Sequence, residues 1–196
     1  QRQMCIRDSD YAVINRIFLE HTRELGDTLA AIAEDKSHVI TGEQKCVYFA
    51  EQEPEVLEVL VRRAEAMQVP YKIYGRDFQA ENIRYTYSGM LFDVVIGDNI
   101  YPDLQIPLLG EHQAKNCALA LAVCMDVMAD LCRESDTLYI FSDTMCNQIR
   151  RQLSAIHHPG RMEILSSDPF VLLDACINSA SCENVKDVLR LSLIHI

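Results

Sequence analysis

Apolar and polar positions along the first half of the chain predict strands and helices in turn. A run rich in branched residues, Ala12 to Phe18, predicts a strand. Asp27-Thr28 then opens a predicted helix whose apolar face holds Leu29, Ile32, Ala33 and, against the pattern, Lys36. The pattern continues with a strand at 46–50, a helix from Pro54 to about Gln68, and a strand at 71–74. This alternation is typical of an α/β fold.

The second half of the chain combines predicted antiparallel strands with longer helices. Strands are predicted at 82–96 and 101–107, with turns at Ser88-Gly89 and Gly97-Asp98-Asn99. The longest helical pattern, Cys117 to about Cys132, is apolar on nearly every face and is expected to be buried. The later pattern predicts a helix at 144–156, strands at 162–165 and 170–173, and a helix at 181–189. We predict a domain boundary at Pro159-Gly160, before these last elements.

The two ends of the chain are related at the level of codons. Residues 191–196 can be encoded by a DNA run whose reverse complement, in another reading frame, encodes residues 4–9. This relationship is expected where one adapter has been ligated to both ends of a DNA fragment. We therefore expect residues 1–9 and 191–196 to be translated adapter, and Asp10 to Arg190 to be an interior piece of a longer protein.

The charge and the cysteines of the chain narrow the classes of function. With 18 Lys and Arg against 29 Asp and Glu, the net charge is −11, which repels the phosphates of nucleic acids. No run of 18 apolar residues predicts a membrane span. Seven cysteines lie within residues 10–190 without zinc spacing, so we expect reduced thiols. These features favour a cytoplasmic protein that binds neither nucleic acid nor a membrane.

His21 and Lys36 are the first candidates for chemistry. His21 follows a predicted strand, and α/β sheets bind ligands at the carboxyl ends of their strands, although a solvated loop histidine is the alternative. A buried Lys36 would lose its proton, and a neutral amine reacts with carbon dioxide to form a carbamate. The carbamate would offer oxygen ligands to Mg²⁺. The alternative is a lysine at the helix end whose ammonium reaches solvent.

Two further groups of candidates lie later in the chain. His112 and Asn116 stand before the long helix, where polar side chains and free backbone N–H groups suit an anionic or purine ligand. Simple capping of the helix by Asn or Glu is the alternative. Arg161 follows Pro159-Gly160, and Asp174 ends a predicted strand. Arginine can hold phosphate or stack on a base, and a strand-end carboxylate can accept from ribose hydroxyls.

Taken in order, these segments resemble the folylpolyglutamate synthase and dihydrofolate synthase family, a branch of the ATP-dependent Mur-type ligases. Residues 20–36 are similar to its D-H-x-x-x-L-G-x-T-x-x-x-I-A-x-x-K block, and residues 109–116 are similar to its L-x-G-x-H-Q-x-x-N block. Pro159-Gly160-Arg161 and Leu173-Asp174 match its P-G-R and L-D-x-A-H-N-P elements. The resemblance covers nearly all of residues 10–190.

The resemblance implies both a fold and an activity. The fold would be α/β, with part of a P-loop-like, ATP-binding central domain at 10–157 and the start of a Rossmann-like C-terminal domain at 158–190. The enzyme would activate the carboxylate of a folate or dihydropteroate as an acyl phosphate with ATP, and the amine of L-glutamate would attack it. A monomer is expected.

The same resemblance implies roles for particular residues. His21 would be a Mg²⁺ ligand, Lys36 the carbamylated lysine, and Asn116, Arg161 and Asp174 contacts of ATP. A glycine-rich phosphate loop is expected upstream of Asp10, and the chain by itself is therefore expected to be inactive.

Some positions depart from the family's pattern. Glu20 stands where the family usually has Asp, and Ile177 and Ser179 stand where its last block has His and Pro. Because isoleucine cannot hydrogen-bond a nucleotide, a non-catalytic nucleotide-binding relative is one alternative. A Mur ligase that acts on a cell-wall precursor is another, although Gln113 favours the folate branch.

Overall fold

The computed structural model describes residues 9–20, 22–86, 88–135, 142–176 and 179–193. The chain divides into two compact units, Gln1–Gln79 and Ala80–Ile196. Among the described residues, no helix combines the length and the apolar character needed to cross a membrane.

The first unit is a small parallel sheet flanked by helices. Its strands β1 (Tyr11–Ile14), β2 (Cys46–Phe49) and β3 (Tyr71–Ile73) lie in the order β1-β2-β3, and both pairs of neighbours are parallel. The connections contain α1 (Thr22–Leu25), α2 (Leu29–Ser37) and α3 (Pro54–Ala66). The predicted α/β alternation is confirmed, although β1 ends four residues before Phe18.

The sequence of this unit explains why its sheet is central. All four residues of β2 are buried, as expected for a strand with neighbours on both edges and helices above it. In α3, Pro54 stands at the start of the helix and Val56, Val59, Leu60 and Ala64 form the buried stripe. Fully buried Phe49 and Leu60 each contribute roughly 1.5–3 kcal/mol to folding.

A three-stranded sheet lies almost entirely in the second unit. The strands β4 (Phe78–Thr86), β5 (Gly89–Ile96) and β6 (Asn99–Ile106) form a sheet in the order β4-β5-β6. β5 and β6 are antiparallel and joined by the predicted turn at Gly97-Asp98. Alternate residues of β5, from Met90 to Ile96, are buried, so one face of the sheet carries the core.

A long helix, α4 (Glu111–Glu134), follows the sheet. It begins six residues before the predicted Cys117, because the polar segment before that residue already forms the first turns. The expectation that it is buried all round is wrong: its buried residues end at Ala122, and Met128 and Leu131 are 45% and 51% exposed. Apolar composition alone does not decide which part of a helix has a packing partner.

The remaining elements of the second unit are α5 (Asp143–Leu153), β7 (Glu163–Ser167), β8 (Phe170–Leu173) and α6 (Ser179–Leu193). β7 and β8 are antiparallel and form a separate two-stranded sheet. Arg150 in α5 donates to the carbonyl oxygen of Pro102 in β6, at 2.9 and 3.0 Å, and this ties α5 to the first sheet. The domain boundary near Pro159-Gly160 stays a prediction.

Candidate functional site

Of the predicted site residues of the first unit, the structure describes Lys36, which pairs with Glu20. Beyond β1 the chain reaches Glu20, while Lys36 lies in the last turn of α2. Lys36 Nζ lies 2.6 Å from Glu20 Oε1, and the two side chains are 36% and 30% exposed. The amine and the carboxylate are therefore held together in a partly exposed position.

The helix that carries Lys36 is fixed by its own ends. The hydroxyl of Thr28 accepts from Ala31 N at 3.2 Å, which caps α2 as predicted. Ile32 and Ala33 are fully buried against the sheet. Lys36 follows Ile32 by one turn, but its amine reaches the surface and pairs with Glu20, as in the alternative of a helix-end lysine whose ammonium reaches solvent. Carbamylation of Lys36 stays a prediction.

At this position the structure describes one oxygen donor, Glu20, which is paired with the Lys36 amine. Glu20 offers carboxylate oxygen, and a carbamate on Lys36 would add further oxygen donors, which are the ligands that Mg²⁺ prefers. The predicted metal ligand His21 lies outside the described residues. Its role stays a prediction.

In the second unit, the start of α4 is shaped by Gly110 and His112. Gly110 is the N-cap with φ of 106°, and it offers no side chain to cap the helix. The His112 ring lies directly over it: a Cβ on Gly110 would be 2.5 Å from Cε1 and 2.7 Å from Nδ1. The positive φ and the close approach of this ring both favour glycine at position 110.

Tyr85 also belongs to the start of α4, and the sequence analysis missed it. Its hydroxyl is hydrogen-bonded to the backbone of Glu111 in the first turn. Burial, and after it the charge of Glu111, raises the pKa of Tyr85. A tyrosine in an alternating strand gave no sequence signal for this contact, which depends on how β4 lies against α4.

The Pro159-Gly160-Arg161 turn is held by residues at the ends of β7 and β8. Asp174 Oδ2 accepts from Met162 N at 2.9 Å, and Ala175 N donates to Gly160 O at 2.8 Å. On the other side, Gly160 N donates to Glu163 Oε2 at 2.8 Å. The two short motifs that the sequence analysis connected are thus joined directly by hydrogen bonds.

His112 links the start of α4 to this turn electrostatically. Its pKa is lowered, first by burial and then by the charges of Arg161 and Lys115, while the charge of Asp174 raises it. His112, Arg161 and Asp174 are therefore close enough for their charges to interact. The imidazole is held toward its neutral form, in which one ring nitrogen accepts and the other donates.

Asn116 lies one helical turn after His112 on the same face of α4, and its side chain is partly buried. Arg161 is exposed, as an arginine available to a ligand would be. Ile177 and Asn178 lie outside the described residues. The predicted contacts of Asn116, Arg161 and Asp174 with ATP stay predictions, although two of these three residues come together around His112.

Comparison with known proteins places the chain in a family. Residues 2–124 match the family model of the Mur ligase middle domain. The chain is 31% identical, over 92% of its length, to a probable bifunctional folylpolyglutamate synthase/dihydropteroate synthase from Halobacterium salinarum, and it covers 20% of that protein. It is 30% identical, over 91% of its length, to a dihydrofolate synthase/folylpolyglutamate synthase from Mycobacterium tuberculosis, and it covers 36% of that protein.

A solved structure agrees with these sequence relationships. The Mycobacterium tuberculosis folylpolyglutamate synthase complexed with ADP and AMPPCP matches 93% of this chain with a TM-score of 0.76 and 26% identity. The chain covers 39% of that structure. This chain therefore spans between about a fifth and two fifths of the lengths of the proteins it matches.

Proposed function

Since the chain belongs to the Mur ligase family through its middle domain, we propose that its protein is an ATP-dependent ligase that adds L-glutamate to a folate or to dihydropteroate. The observation that carries the proposal is the convergence of His112, Arg161 and Asp174 in one unit. These residues come from the three later motifs by which the sequence resembles the folate branch: His112 from residues 109–116, Arg161 from Pro159-Gly160-Arg161, and Asp174 from Leu173-Asp174. Relatives named for folylpolyglutamate synthesis match more than nine tenths of the chain.

The reaction that fits this arrangement has two steps. A carboxylate oxygen of the folate attacks the γ-phosphorus of ATP, which forms an acyl phosphate and releases ADP. The amine of glutamate then attacks the acyl carbon, phosphate leaves, and an amide is formed with loss of a proton. The protein forms no covalent bond to a substrate in either step. Its residues therefore need only to position the reactants and to stabilise the negative charge on the transferring phosphoryl group.

The second unit supplies the groups for the nucleotide. Arg161, exposed in its turn, would pair with phosphate oxygens and offset the negative charge that ATP brings. Asp174 would accept from the ribose hydroxyls with the carboxylate that also holds Met162. Neutral His112 and Asn116, on one face of α4, would donate and accept at the base or the phosphates.

The first unit supplies the groups for the metal. His21, Glu20 and a carbamate on Lys36 would hold Mg²⁺, which when bound offsets the charge of the transferring phosphoryl group. Glu20 and Lys36 are already in contact, so a single carbamate on Lys36 would bring oxygen donors from two residues together. Glu20 and Lys36 are 16 residues apart in the sequence, so the fold of this unit brings them together.

The experiment uses protein expressed from the complete reading frame that contains this chain. We expect ADP to form only when ATP, L-glutamate and a reduced folate or dihydropteroate are all present, with a glutamylated product found by mass spectrometry. Absence of that product from every folate form would contradict the proposal. ATP binding without turnover would favour the non-catalytic relative, and turnover with a muramoyl precursor would favour a cell-wall ligase.

A variant connects the assay to the site. Arg161→Lys keeps the positive charge but loses the planar fork that binds phosphate in two places, and should raise the KM for ATP. Arg151→Lys, an exposed change at the end of α5, is the matched control and should leave the KM unchanged. Size-exclusion chromatography would test the proposed monomer, and cell fractionation would test the proposed cytoplasmic location.

A further inference from the structure

The turn that carries Arg161 is held on both sides by carboxylates. Glu163, the first residue of β7, accepts a hydrogen bond from Gly160 N with its Oε2, at 2.8 Å. Asp174, just beyond the end of β8, accepts from Met162 N at 2.9 Å. Because β7 and β8 are antiparallel partners, the start of one and the end of the other lie at the same end of their sheet. Arg161 therefore lies between two backbone N–H groups that are held from this sheet.

The backbone on either side of Arg161 has left-handed dihedral angles. Gly160 has a φ of 71°, which glycine adopts without strain, and Met162 has a φ of 50°. In a methionine this conformation costs energy and persists only where the surroundings fix it. Met162 is almost fully buried. Contacts with the rest of the unit, rather than local preference, therefore set the direction in which the turn presents Arg161.

Further backbone hydrogen bonds complete the turn, while its arginine is exposed. Ala175 N donates to Gly160 O at 2.8 Å, and Arg161 N donates to His158 O at 3.3 Å. Arg161 itself is exposed. A fixed backbone that presents an exposed guanidinium binds a phosphate at a lower cost in conformational entropy than a mobile loop would.

We propose that Glu163 is a positioning residue for nucleotide binding: its carboxylate holds the N–H of Gly160, so that the turn presents the Arg161 guanidinium to a phosphate of ATP. This role rests on the proposed function, in which Arg161 pairs with phosphate oxygens. Glu163 stands two residues beyond the P-G-R element, and none of the roles that the resemblance implies falls on it. Glu163 acts through Arg161 and contacts no substrate itself.

The hydrogen bond to Gly160 is the contact of Glu163 that matters for this role. The Glu163 side chain is only 25% exposed, and the bond that it accepts from Gly160 N is partly buried. The other carboxylate oxygen, Oε1, lies 3.4 Å from His157 Nε2, but that side chain is 71% exposed and the pair contributes little. Removal of the carboxylate would leave the Gly160 N–H without its acceptor and release one side of the turn.

The alternative is a carboxylate that stabilises the fold but has no effect on the nucleotide. Asp174 would then hold the turn in place without help. In that case loss of the Glu163 carboxylate would lower the free energy of unfolding and leave the affinity for ATP unchanged. The affinity for a nucleotide, and its dependence on Arg161, therefore distinguish the two roles.

The test measures binding of the ATP analogue AMPPCP by isothermal titration calorimetry, with protein expressed from the complete reading frame that contains this chain. Glu163→Ala should raise the Kd about 10-fold, the effect of one lost hydrogen bond. Glu163→Gln keeps an acceptor oxygen for Gly160 and should raise the Kd by less than about 3-fold. Glu134→Ala, at an exposed position at the end of α4, is the matched control and should leave the Kd unchanged. An unchanged Kd in Glu163→Ala, or equal losses in the Ala and Gln variants, would overturn the proposal.

A double-mutant cycle tests whether Glu163 acts through Arg161. Arg161→Ala removes the guanidinium, so adding Glu163→Ala to it should raise the Kd by less than about 2-fold more. The same loss in both backgrounds would overturn the proposal. If circular dichroism shows that Glu163→Ala does not fold, Glu163→Asp takes its place in the cycle, because its shorter side chain withdraws the carboxylate from Gly160.

The calorimetric test and the ligase assay can fail separately. AMPPCP binding that depends on Glu163 through Arg161, in a protein that forms no glutamylated product, would overturn the proposed function and keep the positioning role. Glutamylation together with a Kd for AMPPCP that does not respond to Glu163→Ala would do the reverse. No binding of AMPPCP by the unsubstituted protein would contradict both.

Discussion

Asp174 Oδ2 accepts a hydrogen bond from the backbone N–H of Met162 at 2.9 Å. This bond joins the end of β8 to the turn that carries Arg161, so a residue proposed to bind ATP also shapes the loop of its neighbour. Met162 is only 4% exposed. Its N–H therefore has little access to water as a substitute for the carboxylate.

Substitution of Asp174 separates its structural role from its proposed role in binding. Asp174→Ala leaves the N–H of Met162 without its acceptor and should lower the free energy of unfolding by about 1–3 kcal/mol. Asp174→Asn keeps an acceptor oxygen and should cost about 1 kcal/mol or less. Urea denaturation followed by circular dichroism measures both. Equal losses in the two variants would show that the hydrogen bond to Met162 does not carry the effect.

Substitution of Lys36, which pairs with Glu20, should affect stability and activity to different extents. Lys36→Arg keeps the positive charge beside Glu20, and because the pair is partly exposed, the free energy of unfolding should change by less than about 1 kcal/mol. A guanidinium cannot form the proposed carbamate, so ligase activity should fall about 10- to 100-fold. Activity is measured as glutamate-dependent ADP release.

The control for this substitution is Arg62→Lys, whose partner Glu34 lies 3.5 Å away on a well exposed surface. It should change neither stability nor activity. In addition, protein equilibrated with ¹³C-labelled bicarbonate should give a carbamate resonance that is missing in Lys36→Arg. Full activity of Lys36→Arg would exclude the carbamate from the reaction.

The contact between Gly110 and His112 predicts that a side chain at position 110 would clash with the His112 ring. In Gly110→Ala the new methyl group would lie 2.5 Å from His112 Cε1, at a φ of +106° that strains an L-residue. We expect a loss of about 1–3 kcal/mol in the free energy of unfolding, measured by thermal and urea denaturation. Gly97→Ala, with φ of +54° and no atom within 4 Å, isolates the cost of backbone strain.

A double variant distinguishes the two parts of that cost. If the imidazole causes the clash, then adding His112→Ala to Gly110→Ala should restore part of the lost stability. Strictly additive losses would mean that the ring moves aside without cost.

The buried environment of His112 predicts a dependence of stability on pH. Burial, Arg161 and Lys115 lower its pKa from 6.5, so below pH 6.5 the unfolded chain takes up this proton more readily than the folded chain. The contribution of His112 to stability is therefore complete above pH 6.5 and is lost as the pH falls toward the lowered, folded-state pKa. Urea denaturation between pH 7.5 and pH 5 measures it.

The variant that tests this prediction is His112→Gln. It should make the free energy of unfolding depend less on pH in the range just below 6.5. His158→Gln, on an exposed loop, should leave the profile as in the unsubstituted protein. Parallel profiles for His112→Gln and the unsubstituted protein would contradict the assignment.

The local elements of the fold could be predicted where the sequence pattern and the packing agree. Cys46 to Phe49 is a continuous apolar run with neighbours on both sides, and Thr28 has the side chain that an N-cap requires. The sequence predicts the start of α4 too late, because residues 111–116 are mostly polar and do not continue the apolar pattern that begins at Cys117.

The contacts of the candidate site were harder to predict, because they join residues that are distant in sequence. In the sequence, Glu20 is only a departure from a motif, yet in the structure it pairs with Lys36. The hydrogen bond of Tyr85 to Glu111 and the meeting of His112 with Arg161 arise from tertiary packing. The order of the motifs singled out Lys36, His112, Arg161 and Asp174 as candidates, but it did not supply their geometry.

Two cysteines on α4 should differ sharply in their reactivity. Burial, and after it the neighbouring Cys124, raises the pKa of Cys117 to about 12, so at pH 8 its thiolate fraction is on the order of one in ten thousand. Cys124 is exposed two turns along the helix. Timed alkylation with iodoacetamide and peptide mass spectrometry should therefore find Cys124 labelled at least about 100-fold faster than Cys117. In urea both should react alike, and comparable rates in the folded protein would contradict the burial of the Cys117 thiol.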